Sequence, residues 1–327
     1  MITGRYVLRR SLYGLLTAFV AIIINFLLPR IIPGNPAAII LFANYHYLPP
    51  GKVQLLEQQF GLKGSLLYQF ERYIIELFHG NLGISFSNYP DTVTHLIATH
   101  LPWTLFLLGT STLISSVLGV YFGRIMGWRA GSKSESAVAS LFIALTAMPY
   151  FWLAIIFLLL FAFMIPIFPL GGSISIGATP GFTFLYILNI AQHAILPIIT
   201  IVITTFPSFA LTMRNTMVNQ NKEDYLLMAK AKGIPQRLIE KKHAARNAVL
   251  PVTTHIVLAF GYIVGGAFFV EVVFSYQGVG YLLYNAVTSY DYPLVDGIFL
   301  MITITVIIAN FAADLLYAYL DPRVELR

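Results

Sequence analysis

Long uncharged apolar stretches alternate with short charged ones along this chain. Ser11 to Pro29 carries no charge and is flanked by Arg9, Arg10 and Arg30. His100 to Gly123 is uncharged and ends at Arg124. Ser136 to Met213 contains no Asp, Glu, Lys or Arg, which is too long a run for one helix. Pro and Gly divide it at Ile165-Pro166, Pro169, Gly171-Gly172, Gly177 and Thr179-Pro180-Gly181. A spanning helix needs about 20 mostly apolar residues. The pattern predicts six such helices: 11–29, 100–123, about Ser136–Phe163, His193–Met213, Val249–Val270 and Leu294–Tyr319. Asp314 stands near the inner end of the last. Stretches of this length, without strict alternation, exclude a membrane β-barrel.

Composition supports the pattern. The chain has 327 residues, 57% hydrophobic and 10% charged, with a mean hydropathy of +0.76. Soluble domains carry about 25% charged residues, so this is an integral membrane protein. Cysteine is absent, which removes disulfides, thiol chemistry and Cys-based zinc sites. The net charge of +6 points to orientation, not to nucleic acid. Only Arg30, Lys52, Lys63 and Arg72 fall between odd- and even-numbered spans; the other basic residues lie in the termini and the remaining loops. The positive-inside bias then predicts a multi-pass protein of the cytoplasmic (inner or plasma) membrane with both termini in the cytoplasm. The first apolar stretch exceeds the 7–15 residues of a signal-peptide core and lacks a small-residue cleavage site before Arg30, so an uncleaved helix is expected. Within the external segment 33–98, Leu66, Phe70, Tyr73, Ile74 and Leu77 recur at helical spacing, predicting an amphipathic helix.

One charged island interrupts the apolar half of the chain, from Lys222 to Arg246, before the apolar Ala248-Val249-Leu250-Pro251. Glu223 and Asp224 suit a helix start, Lys230 and Lys232 its last turn. Gly233 suits the left-handed position just past the end. Pro235 fits the first turn of a second helix over about 236–247. Small residues at Ala229, Ala231 and Gly233 would let another surface approach the backbone. A solvated basic loop is the bland alternative, but a mere connector needs only a few residues.

The order Asp224-Tyr225, Ala229-Lys230-Ala231-Lys232-Gly233, His243-Ala244-Ala245-Arg246-Asn247-Ala248 and Leu250-Pro251 resembles the coupling loop of the dipeptide/oligopeptide permease family of ATP-binding-cassette importers. Further similar segments run the length of the chain. They are Arg5-Tyr6-Val7-Leu8-Arg9-Arg10, Ile32-Pro33-Gly34-Asn35-Pro36, Phe60-Gly61-Leu62, Gly80-Asn81-Leu82-Gly83-Ile84-Ser85, Met148-Pro149-Tyr150-Phe151-Trp152, Glu271-Val272-Val273-Phe274 with Gly278-Val279-Gly280, Asp291-Tyr292-Pro293 and Asp321-Pro322-Arg323. The family's Glu-Ala-Ala signature falls on Leu227, Met228 and Ala229, so only its last alanine is kept. Asn35 and Gln277 stand where Asp and Pro are expected.

The resemblance implies an all-α, six-helix permease fold of the type I importer class, with an external loop after the first helix and cytoplasmic coupling helices. It implies residues 1–32 as N-terminus and first span, 33–98 as external loop, 99–320 as permease core with its coupling loop at 215–248, and 321–327 as cytoplasmic tail. It implies a non-catalytic subunit with no cofactor of its own. Its partners would be a second homologous permease, two ATPases that bind ATP and magnesium, and an external binding protein that delivers di- or oligopeptides. Relatives for oligosaccharide, nickel or glutathione are the alternative cargoes. Asp224, Tyr225, Ala229, Ala231, Lys232, Gly233 and Arg246 would serve ATPase coupling.

Read from the residues, Glu271, Asp314 and Arg214 are ionisable groups at span ends, with gating or structural roles; for Arg214 the leading expectation is a snorkelling anchor. No phosphate-binding GxxxxGK loop, metal-ligand cluster or compelling Ser/His/Asp order is present. An ion-driven carrier would show internal repeats and ionisable residues near mid-membrane, and neither is seen.

Overall fold

The computed structural model describes residues 4–31, 63–261 and 268–320, with isolated positions between 51 and 58. Side chains of 4–10, 29, 260–261 and 313–320 lie outside that description. Asp314's side chain, the Ile32–Pro36 and Phe60–Leu62 segments, the Arg5–Arg10 side chains and Asp321–Arg323 therefore fall outside the described residues.

The described residues are helical, joined by turns and loops. In chain order the helices are α1 (Gly4–Ile31), α2 (Leu66–Phe78), α3 (Val93–Trp128), α4 (Lys133–Ala147), α5 (Tyr150–Phe157, extended by a π-helical turn to Met164), α6 (Phe184–Gln220), α7 (Asp224–Ala231), α8 (Gln236–Leu238, followed by a π-helical turn Ile239–Ala244), α9 (Ala245–Gly261), α10 (Phe268–Val273), α11 (Val279–Thr288) and α12 (Tyr292–Leu320). Four helices are long and apolar enough to cross a membrane, in α1, α3, α6 and α12, and a fifth if α4 and α5 form one span. The expected span over 249–270 meets undescribed residues at 262–267, so the count of six is not reached among the described residues.

The third expected span, 136–163, is not straight. It breaks at Met148-Pro149, and its halves diverge by 91°. Met148 is extended (φ −75°, ψ 127°) because the residue before a proline is pushed out of the helical region. Pro102, Pro197, Pro207 and Pro251, by contrast, lie inside continuous helices.

Two compact units form. Of the described residues, the first comprises those within 105–276 and 308–320, the second those within 4–104 and 277–307. In the first, α3 and α6 cross closely on a stripe of three glycines. A Cβ at Gly119 would collide with Phe209 Cβ, at Gly127 with Met217 Cβ, and at Gly123 with the Ala210 carbonyl. Apolar lipid gives little drive for helices to associate, so close backbone approach and van der Waals contact supply it. Phe122, Phe142 and Phe206 stack edge-on beside this crossing and bring α4 onto it. In the second unit, α2 lies with Phe70 and Tyr73 against Phe26 of α1; the predicted amphipathic helix is there, over Leu66–Phe78. Asp291 caps α12 by accepting from Leu294 N, and the same carboxylate accepts from Ser85 Oγ, Ser87 N and Ser87 Oγ. Two segments singled out by resemblance, 80–85 and 291–293, thus meet at one buried acid.

Candidate functional site

The charged island folds as the sequence predicts at its centre and differently at its end. Asp224 begins α7 and Lys232 caps it. Gly233 adopts φ +73°, its N–H donates to Lys230 O at 3.0 Å, and Ile234 N–H donates to Ala229 O at 3.3 Å. That pair of bonds is the Schellman stop, which needs a residue free of the Cβ penalty at positive φ. The second helix does not stand apart over 236–247. A short turn of α8 widens into the π-helical Ile239–Ala244 and continues into α9. The extra residue per turn aims Ile239 and Ala244 inward, where both are fully buried.

One face of this knob is packed onto the rest of its unit. Leu226 and Ala229, three apart on α7, join Ile239, Ala244, Ala248 and Val252 against Met213 and Met217 of α6. Polar links add to the seam. Thr216 Oγ1 donates to Ala248 O (3.0 Å), Asn221 Nδ2 donates to Gly127 O (3.2 Å), and Arg124 pairs with Glu240 at 3.2 Å. The Lys230 ammonium sits 6.0 Å from the Trp128 ring centre. The knob is therefore held by the ends of α3, α6 and α9 together.

The other face is open. Leu227 is 55% and Met228 63% exposed, beside exposed Tyr225, Lys230, Ala231, Lys232 and Gly233. Asp224 and Arg246 are exposed too. Tyr225 Oη donates to Gln220 Oε1 at 2.6 Å, which holds its ring at the rim. One expectation is corrected here. Ala229, taken as a point of close approach for another surface, is only 7% exposed and faces inward beside Leu226; its small size serves the packing within the chain.

The ionisable groups expected at span ends fall differently. Arg214 does not reach out alone: its Nε donates to Glu135 Oε1 at 2.8 Å, and that carboxylate is nearly buried. Glu135 is in turn held at the start of α4, where its N–H donates to Ser132 Oγ and Gly131 N–H donates to its other oxygen. Glu271 is fully buried in α10. Burial, and then the Glu271 charge, push the Tyr276 phenol above its ordinary range, and Tyr276 N–H donates to Glu271 O at 2.8 Å. Glu135, Glu240 and Asp296 were not singled out in the sequence. Asp296 carried a signal, an acid inside an otherwise apolar stretch.

The Arg214–Glu135 pair yields a prediction. Arg214→Met leaves the Glu135 carboxylate with only the Gly131 N–H and is expected to cost about 1–3 kcal/mol, while Arg214→Met with Glu135→Leu recovers most of it. Thermal unfolding of the detergent-solubilised variants checks this; equal losses in the single and double variants would show that the pair does not hold α4 to α6.

Comparison with known proteins adds the last observation. Residues 119–326 match the family described as binding-protein-dependent transport system inner membrane component. A Brucella ovis protein provisionally named a peptide permease is 34% identical over 98% of this chain and 99% of its own length. The di/tripeptide transport system permease protein DppB of Pseudomonas aeruginosa is 30% identical over 94% of this chain and 95% of its own. The oligopeptide transport system permease protein OppB of Escherichia coli K12 is 28% identical, over 98% and 99%.

Proposed function

The chain belongs to the binding-protein-dependent transport system inner membrane component family, and from that premise we propose that it is a permease subunit of an ATP-driven importer of short peptides. The names of its relatives support peptide as cargo. In this reading the termini and the knob face the cytoplasm, which the bias of Lys and Arg supports. The chain pairs with a second, homologous permease, receives peptide from an external binding protein and leaves ATP and magnesium to two separate ATPase subunits.

The observation that carries the reading is the two-sided knob. Leu227 and Met228 point away from the chain on a helix whose opposite face is locked to α6 and α9. Exposed apolar side chains of this size, set among lysines, suit a partner's cleft. Asp224, Tyr225, Ala231, Lys232, Gly233 and Arg246 frame that contact, and Ala229 supports it from beneath. Closure of the ATPases favours one of two arrangements of the helices through this contact, because a partner shifts such an equilibrium only by its differential interaction with the two states.

Uptake into proteoliposomes tests the proposal. The chain assembled with its permease partner, ATPases and binding protein is expected to accumulate labelled di- and tripeptides only with ATP and binding protein present. Peptide uptake by the chain alone, driven by an ion gradient, would overturn it. So would import of sugar or nickel with no peptide transport.

A further inference from the structure

The second unit holds a cavity of about 450 Å³ that the function above does not use. It opens at the end of α1 farther from the N-terminus. Arg30 of α1, Arg72, Tyr73 and Glu76 of α2, and Asp296 of α12 contribute its polar wall; Leu82, Ile84, Phe86, Tyr89 and Pro293 contribute an apolar one. The volume lies within the range of small-ligand sites, and polar side chains, Gln69 and Asn81 among them, converge on it beside apolar ones.

Most polar groups there are already engaged. Arg30 Nη1 donates to Asp296 Oδ2 at 2.9 Å and to Phe26 O at 2.6 Å, and its guanidinium stacks 3.7 Å over the Phe26 ring. Asn81 Nδ2 donates to Glu76 Oε2 at 2.7 Å, and Asn81 Oδ1 accepts from Gly83 N–H. Two groups stand apart. Asp296 is only 2% exposed, yet its Oδ1 meets no donor among the described residues; nor does the buried Tyr73 hydroxyl find a partner there. A buried carboxylate oxygen without a donor is costly, so a ligand that brings an N–H to it is favoured.

The charges of the wall decide which ligand. Two acids, Asp296 and Glu76, balance two guanidinium groups, Arg30 and Arg72, so the site is neutral but bipolar. Arg30 is committed to Asp296 and to Phe26 O. Arg72 lines the cavity, is exposed on α2 and meets no acid among the described residues. A simple anion would face two carboxylates. No group of three His, Cys, Asp or Glu among the described residues is placed to hold a metal ion. A zwitterion fits best: an ammonium group inside, a carboxylate outside and apolar contact between.

We propose that this cavity binds an uncapped short peptide, with its ammonium group at Asp296 and Tyr73 and its carboxylate toward Arg72. The proposal deepens the peptide reading above and rests on it for the choice of peptide among zwitterions. It adds a contact for cargo within the permease itself, separate from the knob.

Titration calorimetry with the assembled complex in nanodiscs, binding protein omitted, tests it. The probes are trialanine, N-acetyl-trialanine and trialanine amide. N-acetylation is expected to weaken binding at least tenfold, amidation about threefold. Tyr73→Phe, which deletes only the hydroxyl, weakens trialanine about threefold or more and leaves the acetylated probe unchanged. Arg72→Gln, at an exposed position, removes the difference between trialanine and its amide. Asp296→Asn is avoided, since it strips Arg30 of its counter-charge and so tests folding. Equal affinity for all three probes, or trialanine binding indifferent to Tyr73→Phe, would overturn the site. Peptide import with no such binding sinks this inference alone. Binding that depends on Tyr73 and Arg72 in a complex that imports no peptide sinks the import reading and leaves the site standing.

Discussion

Replacing Leu227 and Met228 together by aspartate is expected to abolish ATP-driven uptake while the chain stays folded in the membrane. Both side chains are more than half exposed on α7 and bear no part of the packing beneath it. Burying a side chain of this kind in a partner is worth about 1.5–3 kcal/mol, so losing both removes about 3 kcal/mol or more. At about 1.4 kcal/mol per factor of ten, ATPase association weakens by roughly two powers of ten or more. Two carboxylates set into the partner's cleft add a desolvation penalty in the same direction. Co-purification of the ATPases and transport by the same preparation read the effect; full transport by the double variant would remove these side chains from the coupling contact. Ala229→Trp provides the contrast. It too should stop transport, but by unfolding, because it forces an indole into the seam between α7, α6 and α9.

The second large effect lies in the crossing of α3 and α6. Gly123→Leu is expected to destroy the fold of the first unit. Even a Cβ there meets the Ala210 carbonyl and lies 2.6 Å from Met213 Cβ, so the helices must separate. Overpacking usually costs about 1–3 kcal/mol. Here backbone opposes backbone, and moving α6 also strips the knob of Met213 and Met217, so the loss should exceed that range. Gly109 is the matched control. It lies in the same helix with nothing within 4 Å of a built Cβ, so Gly109→Ala should be neutral or raise stability by up to about 1 kcal/mol through helix propensity. Fluorescence-detected gel filtration after heating separates the cases. A Gly123→Leu protein as stable as the parent would show that the close crossing is not what holds the unit together.

These predictions mark where sequence reading succeeded and where it stopped. Local chemistry was legible. The acidic start of α7, the glycine stop at Gly233 and the amphipathic α2 all follow from neighbours a few residues apart, and each is where it was expected. Span existence was legible because lipid demands long apolar helices. The size of the turn at Pro149, 91°, was not legible because the apolar run continues through it, and composition does not register a dihedral change. The inward face of Ala229 was missed because α7 is a short helix with apolar residues on both sides, so periodicity did not say which side docks. The ion pairs were least legible. Arg30 with Asp296, Arg214 with Glu135 and Arg124 with Glu240 join residues 266, 79 and 116 positions apart, and no spacing rule reaches that far. The three-glycine stripe at 119, 123 and 127 did carry a signal, the four-residue repeat of small residues that close helix contacts use.

The most direct test of the account uses the absence of cysteine. Ala231→Cys places a single thiol on the exposed face of α7, next to Met228 and Gly233. In the assembled complex it is expected to cross-link to an ATPase subunit, and to be shielded by that subunit from a membrane-impermeant thiol reagent applied to inside-out vesicles. A thiol that labels freely in the complete complex, or that reacts only from the outer face, would contradict the claim that this knob receives the work of ATP hydrolysis.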